Sequence, residues 1–168
     1  MHEQEAVDTG PGNGDMSLLQ GAAHEIHVSQ HPTQEIPEGT SRTIQRILVV
    51  EDDPTLATLE SEILTAHGYI VVTVHSGELA ITALRSAIPD LVVLDLELPG
   101  SIKGWEVLQM LRTTASIPVL VTTSATTAVR QYIRSRGESR ITLDHLPKPY
   151  PMQTLLKRVK RMLMIAPQ

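Results

Sequence analysis

The sequence predicts an α/β fold, a doubly wound five-stranded parallel sheet of the (βα)5 type, preceded by an acidic tail. Three observations predict it. Short β-branched-rich apolar runs alternate five times with stretches of helical period. The runs are apolar at successive positions, so helices must cover both faces of the sheet. Hydrophobic residues make up 41% of the 168, aromatics only 2% and Phe none, so the core is built from Val, Leu, Ile and Ala.

The elements follow in order. Ile47-Leu48-Val49-Val50 reads as a buried strand. Thr55 to His67 carries a stripe of Leu56, Leu59, Ile63 and Leu64, and Gly68 stops that helix. Tyr69 to Val74 is the second strand. Ser76 caps a helix running to about Ala87, with Leu79, Ala80, Ala83 and Leu84 facing inward. Leu91 to Leu94, between Pro89 and Pro99, is the third strand. Trp105 to Arg112 is a short helix with Val107, Leu108 and Leu111 inward. Pro118 opens the fourth strand, Val119 to Thr122, and Ala125 to Arg136 is a weaker, polar helix. Ile141 to Leu146 is the fifth strand, and Met152 to Ile165 a last amphipathic helix with Leu155, Leu156, Val159, Met162 and Leu163 apolar.

Composition sets the outer bounds. There is no cysteine, which excludes disulfides, thiolate nucleophiles and Cys-ligated zinc. The start, Met1 to Asp8, is acidic and has no apolar signal region, and no apolar run reaches the roughly 18 residues a membrane span needs. A cytoplasmic protein without membrane contact is expected. Charge divides the chain. Residues 1–43 hold seven acids and one base, Arg42, whereas residues 44–168 hold twelve acids and thirteen bases. Residues 1–43 are also rich in Gly, Pro, Ser, Thr, Gln and His, so a disordered tail is expected there, with the folded domain at 44–168. His24, His27 and His31 sit at spacings that would share a helical face. Pro32 and the lack of carboxylate support favour a solvated tail over a metal site.

In such a sheet the working crevice lies beyond the carboxyl ends of the strands. Glu51, Asp52 and Asp53 follow the first strand, Asp95 ends the third, Thr122, Thr123 and Ser124 end the fourth, and Lys148-Pro149 follows the fifth. Converging carboxylates raise one another's pKa, and a divalent cation removes the conflict. Mg2+ suits hard oxygen ligands, with Asp52 and Asp95 direct and Glu51 direct or through water. Lys148 adds a point cation. A carboxylate held this way can attack a phosphoryl group in line, giving an acyl phosphate on Asp95, with the Thr123 hydroxyl as a hydrogen-bond donor to it. Taken singly, each feature is also what an ordinary loop, cap or strand end looks like. Four matching strand ends in order carry the reading.

Four segments, Ile47 to Pro54, Pro89 to Asp95, Pro118 to Thr123 and Lys148-Pro149-Tyr150, resemble the signatures of response-regulator receiver domains over about residues 45–165. The resemblance implies a flavodoxin-like receiver fold and two-component phosphorelay signalling. It implies Asp95 as phosphoacceptor and Glu51 and Asp52 as the acidic pair. It places the Glu97 backbone carbonyl in the Mg2+ shell, Thr123 as switch hydroxyl, and Lys148 as the family lysine, whose following proline is commonly joined by a cis peptide. A histidine kinase or histidine phosphotransfer protein would be the donor.

Four departures stand out. The loop from Leu96 to Gly104 is one residue longer than usual, with Leu98 in place of the common Met. The segment between Thr123 and Lys148 is longer too, and holds Arg130, Arg134, Arg136 and Arg140. His145 stands where many members carry an aromatic switch residue, and no output domain is expected after Gln168. Output is therefore expected through a changed protein-interaction surface of the fourth helix, fifth strand and fifth helix. That basic face fits an acidic protein partner, with nucleic acid disfavoured for want of a recognition helix or stacking aromatics. No enzyme activity is expected beyond self-phosphorylation and self-dephosphorylation at Asp95. Two competing readings are a receiver-like scaffold that is never phosphorylated and a small aspartyl-phosphate phosphatase. Glu97 fits the second poorly, because those enzymes usually place Asp there.

Overall fold

The computed structural model describes residues 43–165. The expected tail over 1–43, with His24, His27 and His31, lies almost wholly outside the described residues, as do Ala166, Pro167 and Gln168 at the end. Ten elements alternate without exception: β1 (Arg46–Val50), α1 (Pro54–Ala66), β2 (Ile70–Val74), α2 (Gly77–Ser86), β3 (Leu91–Asp95), α3 (Gly104–Thr114), β4 (Val119–Thr123), α4 (Thr126–Arg136), β5 (Leu143–Pro147) and α5 (Met152–Ile165). All strand pairs are parallel, in the order β2-β1-β3-β4-β5. The order reverses at β1 and β3, which is where such a sheet opens its crevice.

Strand alternation divides the core. Leu48, Val50, Val92, Leu94, Val119, Val121 and Leu143 pack with Ala80, Val107, Leu108, Leu111 and Val129 of α2, α3 and α4. Ile47, Val49, Leu91, Val93, Leu120 and Leu146 pack with Leu64 of α1 and with Leu155, Leu156, Val159, Met162 and Leu163 of α5. The few aromatics are used locally: Trp105 meets Tyr132 edge-on at 5.2 Å, joining α3 to α4.

Several expectations need correction. Leu59 and Leu79 are exposed, because these helices turn Ala57, Glu60 and Leu64, and Ala80, to the sheet instead. β2 is an edge strand whose Ile70 and Val72 reach solvent. The fifth strand starts at Leu143, not Ile141. The N–H groups of Thr142 and Leu143 both donate to the Ser139 carbonyl, so the chain is still turning there. The lengthened β3–α3 loop is held by α2. Glu78 Oε1 accepts from the N–H groups of Ser101 (2.9 Å) and Ile102 (3.0 Å), and Gly77 leaves room for the Ile102 carbonyl.

Candidate functional site

Register brings the strand ends level. Asp95 of β3 pairs with Thr122 of β4, and Thr123 pairs with Pro147 of β5. The chain leaves β1 as Glu51-Asp52-Asp53, and Asp53 is then used up as the α1 cap. Its Oδ1 accepts from Thr55 and Leu56 N–H at 2.8 and 3.0 Å, with Pro54 opening the helix. That leaves two acids beside Asp95. Oxygens of Glu51, Asp52 and Asp95 lie within 4.8 Å of one another. Glu51 and Asp95 are buried and Asp52 is exposed.

Lys148 ties the two buried acids together. Its Nζ donates to Glu51 Oε2 and to Asp95 Oδ2, each at 2.7 Å. Burial pushes the Glu51 carboxyl up, against the lowering effect of Lys148. Burial also opposes charge on Lys148, but hydrogen bonds to Asp95 and Glu51 outweigh it and raise the ammonium above the ordinary lysine value. The Lys148 N–H donates to the Thr123 carbonyl at 3.0 Å, and the Lys148–Pro149 peptide is cis. His75, just past β2, places Nδ1 2.8 Å from the Glu51 carbonyl and so steadies the acidic turn.

The other named residues stand around this pocket with their own partners. Asp95 Oδ1 accepts from the Glu97 N–H at 2.8 Å. The Glu97 side chain reaches the residue after β4, its Oε2 accepting from Ser124 N–H at 3.0 Å. Thr123 is buried, and its hydroxyl oxygen accepts from Ala125 N–H at 3.0 Å rather than meeting Asp95. His145 is not in this pocket. It stands further back on β5, half-buried, with Nε2 lacking a hydrogen-bond partner among the described residues. Burial, then Arg130, lowers its pKa.

Sequence reasoning missed Glu60. This α1 carboxyl is fully buried, accepts from the Tyr150 hydroxyl at 2.5 Å, and is pushed up to about 7, chiefly by burial. Tyr150 belongs to the quoted Lys-Pro-Tyr segment, but nothing in a helical stripe marks its glutamate as an inside residue. Gly104 was named only as a spacing mark. A Cβ there would stand 2.1 Å from the Asp95 carbonyl oxygen, so α3 packs directly on the backbone of the buried acid.

Chemically, the pocket offers a buried carboxylate with a bonded ammionium partner, two further acids of hard-oxygen type, and one exposed side toward solvent. That donor set suits a small divalent cation such as Mg2+. Among the described residues no helix is long and apolar enough to cross a membrane.

A family model described as the response regulator receiver domain matches residues 47–160. The DNA-binding response regulator MtrA of Mycolicibacterium smegmatis is 37% identical over 116 residues, 69% of this chain and 49% of that protein. The response regulator MprA of Mycobacterium ulcerans is 35% identical over 119 residues, 70% of this chain and 50% of that protein. The chain thus spans about half the length of the curated relatives it matches. Among solved structures, the response regulator DrrB of Thermotoga maritima, an OmpR/PhoB homolog, gives a TM-score of 0.63 at 28% identity, covering 73% of this chain and 54% of that one. A CheY-like receiver domain protein from Methanospirillum hungatei gives 0.64 at 22% identity over 73% of this chain and 95% of that one, a likeness of fold.

Proposed function

The chain belongs to the response regulator receiver domain family, and from that premise we propose that Asp95 is its phospho-accepting residue. One observation carries the assignment: Asp95 is buried at the end of β3 with an ammonium on one oxygen and a backbone N–H on the other. Both donors spread its negative charge and fix its direction. One carboxylate oxygen attacks the phosphorus, and the bond from phosphorus to the donor's histidine nitrogen breaks. The imidazole leaves with the electron pair of that bond. Lys148 then follows the charge as it moves onto the phosphoryl oxygens.

Glu51, Asp52 and Asp95, with the Glu97 backbone carbonyl, are the groups that would hold Mg2+. When bound, the ion neutralises charge on the transferring group. After transfer, the Thr123 hydroxyl at the end of β4 and the Ser124 N–H just past it can donate; before it, the Thr123 oxygen accepts from Ala125 N–H and the Ser124 N–H donates to Glu97. Releasing Ser124 N–H from Glu97 and turning the Thr123 hydroxyl toward Asp95 moves the start of α4. Output then follows as a changed α4–β5–α5 surface read by a protein partner, with His145 on β5 as a second mover. The donor is a histidine kinase or histidine phosphotransfer protein, and the setting cytoplasmic. The DNA-binding function in the name of MtrA belongs to a protein of which this chain matches half, and it is not carried over.

The test is uptake of phosphate from a small phosphodonor with Mg2+, followed by intact mass. Wild type gains one phosphoryl group and Asp95→Asn gains none. Equal uptake by both, or none by wild type, overturns the assignment. Repeated turnover of a phosphate ester would point to the phosphatase reading instead.

A further inference from the structure

A second charged region lies away from Asp95, at the open edge of the sheet. Beside β5 there is a cleft of about 380 Å³, walled by Arg130 and Arg134 of α4, Arg140 of the following loop and Arg158 of α5. Its acidic member, Asp144, is buried and already paired. It accepts from Arg158 Nη1 at 2.6 Å and from Arg161 Nη2. Arg130, Arg134 and Arg140 have no ion pair among the described residues, whereas Arg112 and Arg136, close by in the chain, both pair with Glu138. Three guanidinium groups thus line one concavity with no carboxylate paired to them among the described residues, since Asp144 is engaged by Arg158 and Arg161. The cleft wall also includes His145, whose buried Nε2 lacks a partner among the described residues.

We propose that this cleft is a binding site for a small, multiply phosphorylated anion, distinct from the phosphoacceptor pocket. Arginine fits phosphate oxygens through paired N–H donors, and Arg130 and Arg134, four residues apart on α4, present two such forks on one helix face. Gathered like charges repel, and an anion between them removes that cost. The volume falls within the range of small-molecule sites. Ile133 and Pro147 add apolar wall, so an organic group attached to the phosphates has a surface to lie against. An acidic peptide would need an extended stripe of charge, and here the four arginines come from three segments around a hollow.

Isothermal titration of the full chain at constant ionic strength tests this, without Mg2+ so that the acidic pocket is not engaged. Tripolyphosphate and ATP are the two phosphate probes and an oligoglutamate peptide is the third. Saturable one-to-one binding of tripolyphosphate is expected, with tighter binding of ATP if the apolar wall holds the nucleoside and equal binding if phosphate alone is read. Arg134→Gln should weaken binding roughly tenfold, and Arg130→Gln/Arg134→Gln/Arg140→Gln should abolish it. A charge-matched control, Arg85→Gln/Lys157→Gln/Lys160→Gln, removes exposed bases elsewhere and should bind as wild type does. His145 ring resonances should shift on binding in wild type and in the control. The proposal fails if neither phosphate probe saturates, if both triple variants lose affinity equally, or if only the peptide binds. Asp95→Asn should leave the affinity unchanged, which separates this site from the phosphoacceptor reading.

Discussion

Glu60 shows how much one buried carboxyl can govern. Its Oε1 holds the Tyr150 hydroxyl, and its Oε2 is buried without a partner among the described residues. In the folded chain it keeps its proton up to about pH 7, against an ordinary value of 4.5. Between those values the folded state binds more protons than the unfolded state, so stability falls as pH rises. The contribution is present below about pH 4.5 and is lost by the time the pH passes 7, a difference on the order of 3 kcal/mol. Glu60→Gln keeps an acceptor for Tyr150 and cannot ionise. Urea unfolding at pH 5 and pH 8 should therefore show a drop for wild type that the variant lacks, with the variant the more stable at pH 8. Parallel profiles for the two proteins would rule out Glu60 as the source.

At the scale of elements, the strands were legible because continuous Val, Leu and Ile runs have few other homes, and topology then carried their ends to one edge. That is why Glu51, Asp52, Asp95 and Lys148 were found together from sequence, with no pairing known. Helix faces were read less well. Leu59 and Leu79 look like stripe members, but the helices roll so that Ala57, Glu60 and Leu64 of α1 and Ala80 of α2 meet the sheet instead. Glu60 stayed hidden because a carboxylate on a helix normally faces water. The hydrogen bonds of the Thr123 hydroxyl and of the Glu97 side chain were not legible, because rotamers leave no mark in spacing. Gly104 shows what α3 demands of its partner: with a Cβ 2.1 Å from the Asp95 carbonyl, the helix must shift or the β3 end must bend. Gly104→Ala should cost about 3 kcal/mol by denaturant unfolding. Substituting Gly68, whose Cβ would meet nothing, keeps the penalty to its left-handed backbone (φ 88°) and should cost less. Equal losses at the two sites would mean that α3 does not rest on the Asp95 backbone as closely as described.

Among the described residues charge gathers in two places. Acids collect at the carboxyl ends of β1 and β3, and arginines collect along the β5 edge between α4 and α5. β5 belongs to both, since His145 lines the basic cleft and Lys148 reaches the acids three residues later. At the acidic pole three carboxylates face one ammonium, so the folded state carries an uncompensated charge that the unfolded chain spreads through solvent. A divalent cation drawn to that pole binds the folded state alone, and must therefore stabilise it. At a concentration tenfold above its Kd the gain is about 1.4 kcal/mol. Mg2+ should accordingly raise the Tm of wild type, and a chelator should reverse the rise. Asp52→Asn, at an exposed position, should leave the fold intact while removing most of the response. Asp95→Asn should do likewise, and should begin from a higher Tm because one repelling charge is gone. The arginine variants of the β5-edge cleft should respond to Mg2+ as wild type does. A Tm rise that persists undiminished in Asp52→Asn and Asp95→Asn would place the ion somewhere other than the strand ends.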